Sequence, residues 1–180
     1  MTPGRILLTQ AQIRARVRQL GKSITRHYRG QRPLFLGVMN GALFFLGDLL
    51  RAVDLDHVEI SCVRLASYAG AQSTGNLRGL VDLDALVKSV AGRHVLIVDD
   101  ILDTGRTLSA LVARLKKLGA ADVKICVLLE KRRTHEIPVK PDWTGFTIED
   151  KFVVGYGLDH DGRYRTLKQI RVLDPKGIES

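Results

Sequence analysis

At 180 residues, the chain is long enough to bury a core within one domain, without disulfide or metal staples. Its 45% hydrophobic and 26% charged content belongs to soluble globular proteins and excludes the disordered and fibrous classes. A net charge of +9 leaves two explanations open, a nucleic-acid surface or a pocket for small polyanions. The basic residues are scattered: Arg14, Arg16 and Arg18 in one helical stretch, Arg114 to Lys117 in another, Lys131 to Arg133 in a loop. No aromatic stacking platform interleaves them, so most read as solvated faces and nucleic acid is not an expected partner. Charges and glycines interrupt every apolar run well short of the roughly eighteen residues a bilayer needs, and the N-terminus lacks the h-region of a signal peptide. A cytoplasmic protein is expected. Cys62 and Cys126 lie in apolar, strand-like runs and are expected as buried free thiols, in keeping with a reducing compartment.

In chain order, Thr9 with Gln12 fits a capping box, and Ile13, Val17, Leu20 and Ile24 make an apolar stripe, predicting a helix from about Thr9 to Arg29. Leu34–Met39 reads as a buried strand ending at Asn40-Gly41. Ala42–Val53 is apolar nearly all round and predicts a buried helix. His57–Leu65 is strand-like. The stretch 67–79, SYAGAQSTGNLRG, has no periodicity, and its length favours a functional excursion or lid. His94–Val98 predicts a short apolar strand. Leu108, Leu111, Val112, Leu115 and Leu118 then give helical spacing, with Gly119 as the cap. Val123–Leu129 reads as a strand followed by a basic loop at 131–136, and Phe152–Gly155 and Ile170–Leu173 as closing strands. Strands alternating with helices across short loops predict one α/β domain over residues 1–180, with a mainly parallel twisted sheet flanked by helices. Ligands in such sheets sit beyond the carboxyl ends of strands, which points to Asn40-Gly41, Asp99-Asp100, Lys131 and Asp159.

The segment VLIVDDILDTGRTL, residues 95–108, carries the chemistry. An apolar strand leads to two adjacent acids, Asp99 and Asp100, and then to Asp103-Thr104-Gly105-Arg106-Thr107 at the start of a helix. Backbone N–H groups there, the helix dipole and the hydroxyls of Thr104 and Thr107 make an anion site, and Gly105 lets the backbone approach a phosphate. Two carboxylates beside an anion site would repel the ligand unless they hold sugar hydroxyls or a cation. Mg²⁺ fits, because it takes few protein carboxylates and keeps waters and phosphate oxygens. The segment is not a Walker loop, and Gly155-Tyr156-Gly157 lacks the third glycine of a dinucleotide fingerprint.

The same segment resembles the phosphoribosyl-diphosphate motif of type I phosphoribosyltransferases. GVMNGALFFLGDLL, SYAGAQSTG, LLEKR, KPDWTGFTIEDKFVVGYGLD and YRTL extend the resemblance, in order and spacing, to the hypoxanthine-guanine phosphoribosyltransferase family over nearly the whole chain. That resemblance implies a small base-binding hood built from the N- and C-terminal segments, a homodimer or homotetramer, and Mg²⁺ as cofactor. It implies the substrates too, an oxopurine base and phosphoribosyl diphosphate. Asp99 and Asp100 would hold the ribose hydroxyls directly or through Mg²⁺, Asp103 through Thr107 would carry the 5-phosphate, and Asp103 would manage the proton on N7 of the purine. Lys131 would contact the exocyclic oxygen at purine position 6, Phe152 would stack on the base, and Val153 would offer backbone groups to its edge. Asp159 would reach a second Mg²⁺ and Arg165 would bind diphosphate together with Asn40 and Gly41. Ser67 and Tyr68 would close as part of the lid.

Two positions depart from the family pattern: Asn40 stands where Lys or Arg is usual, before a peptide bond to Gly41 that is often cis, and Thr166 stands where Asp or Asn is commoner. Two other readings remain open. One is a phosphoribosyl-diphosphate-sensing regulator that binds nucleic acid, kept alive by the charge of +9. The other is an enzyme for a different base, such as xanthine or a pyrimidine; DKFVVGYGLD speaks against the pyrimidine.

Overall fold

The computed structural model describes residues 3–64, 90–132 and 136–173. Five strands, β2 (Leu34–Met39), β3 (Glu59–Arg64), β4 (His94–Leu102), β5 (Asp122–Lys131) and β6 (Trp143–Ile148), form a sheet in the order β3-β2-β4-β5-β6. Every pairing in it is parallel. Such a sheet needs both faces covered, and the strands supply apolar side chains to both. By alternation, Phe35, Leu96, Val98 and Cys126 pack with helices α1 (Gln10–Tyr28) and α2 (Leu43–Ala52). Leu34, Leu36, Val95, Ile97 and Val127 face the other way, onto Leu108, Leu111 and Leu115 of helix α3 (Arg106–Lys117).

A second, antiparallel sheet joins the two ends of the chain. Strand β1 (Ile6–Leu8) pairs with β8 (Ile170–Val172), which pairs with β7 (Val153–Val154). This is the expected hood. The expected capping box is also present: Thr9 accepts from the Gln12 amide, and the Gln12 side chain accepts from the Thr9 amide. The expected C-cap role of Gly119 is met at the next position, where it turns the chain with a φ of 84°.

Several expectations need correction. β4 continues through Asp99 and Asp100 to Leu102, because β5 keeps pairing with it as far as Glu130, so the acids lie inside the strand rather than beyond it. β5 likewise runs to Lys131, which is therefore a strand residue and not part of a basic loop. Asp159 is not at the end of a sheet strand but in the turn between the Gly155–Leu158 and His160–Arg163 bridges. Helix α2 is not buried all round: Leu43 and Phe44 are 54% and 41% exposed. Cys126 is a buried free thiol as expected, but Cys62 is exposed, since β3 is the open edge of the sheet. The cis peptide falls at Met39–Asn40, one bond before the expected position. The lid stretch 67–79, with Ser67 and Tyr68, lies outside the described residues. Among the described residues, no helix is long and apolar enough to cross a membrane.

Candidate active site

Parallel register lines up the carboxyl ends of three adjacent strands. Gly37 pairs with Val98, which sets Asn40-Gly41 alongside Asp100. The fit is close: a Cβ on Gly41 would lie 1.7 Å from Asp100 Oδ2, so only glycine leaves room for that carboxylate. On the other side, Leu102 pairs with Glu130, and the residues that follow, Asp103 and Lys131, come together.

Asp99 is only 6% exposed. Burial, and then the charge of Asp100, holds its carboxyl well above the usual carboxylate range. Asp100 is also pushed up by burial, against the lowering effects of the Asp99 side chain and Arg165. A buried pair of hard oxygen donors short of positive charge is suited to a divalent cation or to sugar hydroxyls. Among the described residues, no group of three or more His, Cys, Asp or Glu side chains forms a ready metal cage. Two adjacent carboxylates leave a divalent ion such as Mg²⁺ dependent on substrate oxygens and water for its remaining ligands.

The weakened acidity of Asp99 has a consequence for stability. A carboxyl whose folded pKa lies above its unfolded value of about 4 costs nothing below that pH; its cost grows as the pH rises towards the folded value. Asp99→Asn is therefore expected to stabilise the ligand-free protein at pH 7, where the parent carboxyl is held against its burial. At about 2–4 °C per kcal/mol for a chain of this size, thermal melts will show the gain, and it should vanish near pH 4.

The phosphate cradle forms where β4 turns into α3. Gly105 is the N-cap with φ of 81° and has no side chain to cap the helix, and the Arg106 amide donates to Thr104 Oγ1 at 3.4 Å. A Cβ there would lie 2.2 Å from the carbonyl oxygen of Ile137, and the Ile137 amide donates to the Thr104 carbonyl at 3.2 Å. The chain after β5 thus braces the cradle from behind. Arg106 turns its guanidinium to Glu136, which leaves backbone amides and the Thr104 and Thr107 hydroxyls as the candidate anion-binding groups.

Lys131, with a side chain 12% exposed, places Nζ 2.8 Å from Asp150 Oδ1 and 3.4 Å from Asp103 Oδ2. Phe152 is 48% exposed and meets the His160 ring edge-on, with centroids 5.3 Å apart. β7 is the edge of the hood sheet. The Phe152 carbonyl accepts from the Leu173 amide, so strand alternation turns the backbone groups of Val153 to the open edge. Asp159 Oδ1 accepts from Arg165 Nη2 at 2.8 Å and Oδ2 from the Gly162 amide at 2.8 Å. Asn40 Oδ1 accepts from Arg64 Nη2 at 3.4 Å, bringing a cation to the position where the family's lysine is missing. Thr166, next to Arg165 in the chain, lines a cleft with Gln10, Arg14, Asp48, Tyr156 and Lys168.

Sequence reasoning missed three supporting residues. Asp150 stood inside the quoted DKFVVGYGLD stretch, but only the fold shows that it faces Lys131. Arg64 ends a strand, and its neighbour Asn40 is distant in sequence. Ile137 acts through its backbone, which leaves no signal in side-chain type.

A parallel sheet with an anion cradle after the β4 acids, topped by a hood with an exposed ring, is the architecture of a phosphoribosyl-transferring protein, and residues 5–161 match the family model of the phosphoribosyl transferase domain. The chain belongs to that family. It is 40% identical over 173 residues to the hypoxanthine-guanine phosphoribosyltransferase of Lactococcus lactis, covering 96% of this chain and 92% of that one. It is 37% identical over 172 residues to the hypoxanthine-guanine-xanthine phosphoribosyltransferase of Tritrichomonas foetus, covering 94% and 91%. The structure of Trypanosoma cruzi hypoxanthine phosphoribosyltransferase in complex with the product IMP matches with a TM-score of 0.85 at 35% identity, covering 97% and 96%. Within the family, these likenesses set the chain in the hypoxanthine-guanine branch.

Proposed function

We propose that the protein transfers the 5-phosphoribosyl group from phosphoribosyl diphosphate to N9 of hypoxanthine or guanine, giving IMP or GMP and diphosphate. The observation that carries this reading is the juxtaposition of Asp103 and Lys131 at the ends of β4 and β5, between the anion cradle and the exposed face of Phe152. The cradle of Asp103 to Thr107 holds the 5-phosphate, while Asp99 and Asp100 hold the ribose hydroxyls. The purine stacks on Phe152, with its edge against the outward backbone groups of Val153.

Lys131 is a donor only, so it favours a carbonyl oxygen at purine position 6 over an amino group. Asp150 keeps that ammonium in place. As N9 bonds to the anomeric carbon and the bond from that carbon to diphosphate breaks, the base must lose a proton, and Asp103 accepts it from N7. Arg165 and the backbone of Asn40 and Gly41 receive the diphosphate. Asp99, Asp100 and Asp159 would hold Mg²⁺, which when bound neutralises charge on the leaving group. Ser67 and Tyr68, with the 67–79 stretch, would exclude water from the charged sugar.

The reading takes residues 1–180 as one domain and the cytoplasm as its compartment, in keeping with free thiols at Cys62 and Cys126. Exposed Leu43 and Phe44 suit burial against a second copy in a homodimer or homotetramer. Incubation with Mg²⁺, phosphoribosyl diphosphate and each of hypoxanthine, guanine, xanthine and adenine tests the reaction. Turnover is expected with the oxopurines and not with adenine, and Lys131→Met should reduce kcat/KM for hypoxanthine by about 10–100-fold. No turnover with any oxopurine would overturn the proposal.

A further inference from the structure

The turn that follows β7 is built under unusual constraint. Gly155, Tyr156 and Gly157 have φ of 101°, 52° and 104° in succession. A residue with a side chain holds that left-handed conformation only where its surroundings fix it. Two backbone bonds do part of this, from the Tyr156 amide to the Leu167 carbonyl at 2.8 Å and from the Gly157 amide to the Arg165 carbonyl at 3.0 Å. The side chain does the rest. The Tyr156 phenol, in a residue 7% exposed, donates to Asp48 Oδ2 at 2.6 Å. Burial first, then the carboxylate, raises the phenol's pKa, so it remains a donor across the neutral range.

Asp48 belongs to α2, the helix that begins two residues after Gly41. The other side of the turn returns to the same place. A Cβ on Gly157 would lie 2.0 Å from the Gly41 carbonyl oxygen, so the two glycine backbones are in direct contact. The Gly157 carbonyl accepts from Arg165 Nη1 at 2.7 Å, and that guanidinium reaches on to Asp159. Asp48 thus holds Tyr156, Tyr156 holds Gly157, and Gly157 touches both Gly41 and Arg165.

We propose that the Asp48–Tyr156 pair is a positioning clamp that sets the hood turn against the Asn40-Gly41 loop and so fixes Gly41 and Arg165 at the separation that grips diphosphate. The proposal rests on the reading of Gly41 and Arg165 as diphosphate-binding residues. Among the described residues, no hydrogen bond, ion pair or ring contact joins either clamp residue to Lys131 or Phe152, which separates its effect from theirs.

Steady-state kinetics, together with calorimetric binding of magnesium diphosphate, test the clamp. Tyr156→Phe is expected to raise KM for phosphoribosyl diphosphate and Kd for magnesium diphosphate about three- to tenfold. KM for hypoxanthine at saturating phosphoribosyl diphosphate, and kcat, should stay within about twofold of the parent. Asp48→Asn keeps an oxygen that accepts from the phenol and should behave like the parent, whereas Asp48→Leu should match Tyr156→Phe. The double variant should be no worse than either single change, since the two residues share one bond. Asp48 is exposed, so its substitutions keep the test open if Tyr156→Phe does not fold. Equal losses for both substrates, or a lowered melting temperature with unchanged KM and Kd, would overturn the clamp. Arg165→Gln separates the two layers. If it leaves diphosphate binding intact, the diphosphate reading fails and the clamp with it; if it weakens binding while Tyr156→Phe and Asp48→Leu do not, the clamp alone fails.

Discussion

Asp103→Asn should lower kcat for nucleotide formation by about 10²–10⁴-fold, the usual contribution of a positioned general base, while KM for phosphoribosyl diphosphate changes by less than about threefold. The substitution preserves shape and a hydrogen-bonding oxygen, so the 5-phosphate cradle at Thr104–Thr107 stays assembled. What is lost is the capacity to take a proton. The geometry explains why the effect concentrates on turnover. Asp103 is half-buried beside Lys131 at 3.4 Å, where the proposed reading seats the base, and it follows the last residue of β4. A single-turnover measurement with saturating phosphoribosyl diphosphate checks it. Equal losses in binding and turnover would assign Asp103 to anchoring the phosphate instead.

Gly41→Ala has the second large effect. The added methyl would lie 1.7 Å from Asp100 Oδ2 and 2.5 Å from Asp100 Cγ, so the carboxylate must swing away or the loop must move. Either displacement exceeds the sub-ångström placement that transfer chemistry tolerates. The expected result is a loss of roughly 10²-fold in kcat/KM for phosphoribosyl diphosphate. Combining it with Asp100→Ala tests the cause. Removal of the carboxylate should relieve the clash, so the double variant should melt no lower than Gly41→Ala alone, although activity is not restored. Additive destabilisation would mean that the methyl disturbs something other than Asp100.

Much of the fold is legible in the sequence where one local rule decides the outcome. The Thr9 capping box and the apolar run Leu34–Met39 give an element boundary and a whole strand directly. The turn proposed as the phosphate cradle is legible for a similar reason: acids, a glycine and hydroxyls sit together in sequence at a helix start. Features that depend on the position of an element in the sheet are not. The pattern of β3 is the same whether it lies at the centre or the edge, so exposure of Cys62 follows only from strand order. Leu43 and Phe44 look like core residues because they are apolar, yet α2 buries only the face bearing Phe45, Leu46 and Leu49. Strand β6 goes unnoticed because Gly145 interrupts its pattern. The fold accounts for that glycine: a Cβ there would lie 2.4 Å from the Leu128 carbonyl oxygen. Strand β1 is only three residues long and makes sense only once β8 is beside it.

The roles proposed for Lys131, Phe152 and Arg165 come from family resemblance, since nothing in the local sequence distinguishes them from ordinary lysines, phenylalanines and arginines. The structure adds their partners. Asp150 and Asp103 meet Lys131, His160 meets Phe152, and Asp159 and Gly157 meet Arg165. These pairings join residues from separate elements, which is why sequence spacing alone does not reveal them.

The central claim is transfer of the sugar to a base rather than to water, and ³¹P NMR of phosphoribosyl diphosphate with Mg²⁺ and the protein tests it most directly. With hypoxanthine present, the diphosphate ester signals should give way to free diphosphate and one nucleotide monophosphate signal, in equal amounts and matched to the hypoxanthine consumed. Without a base, the spectrum should remain unchanged over the same time. Release of ribose 5-phosphate at a comparable rate in the absence of base, or no change when hypoxanthine is added, would contradict it.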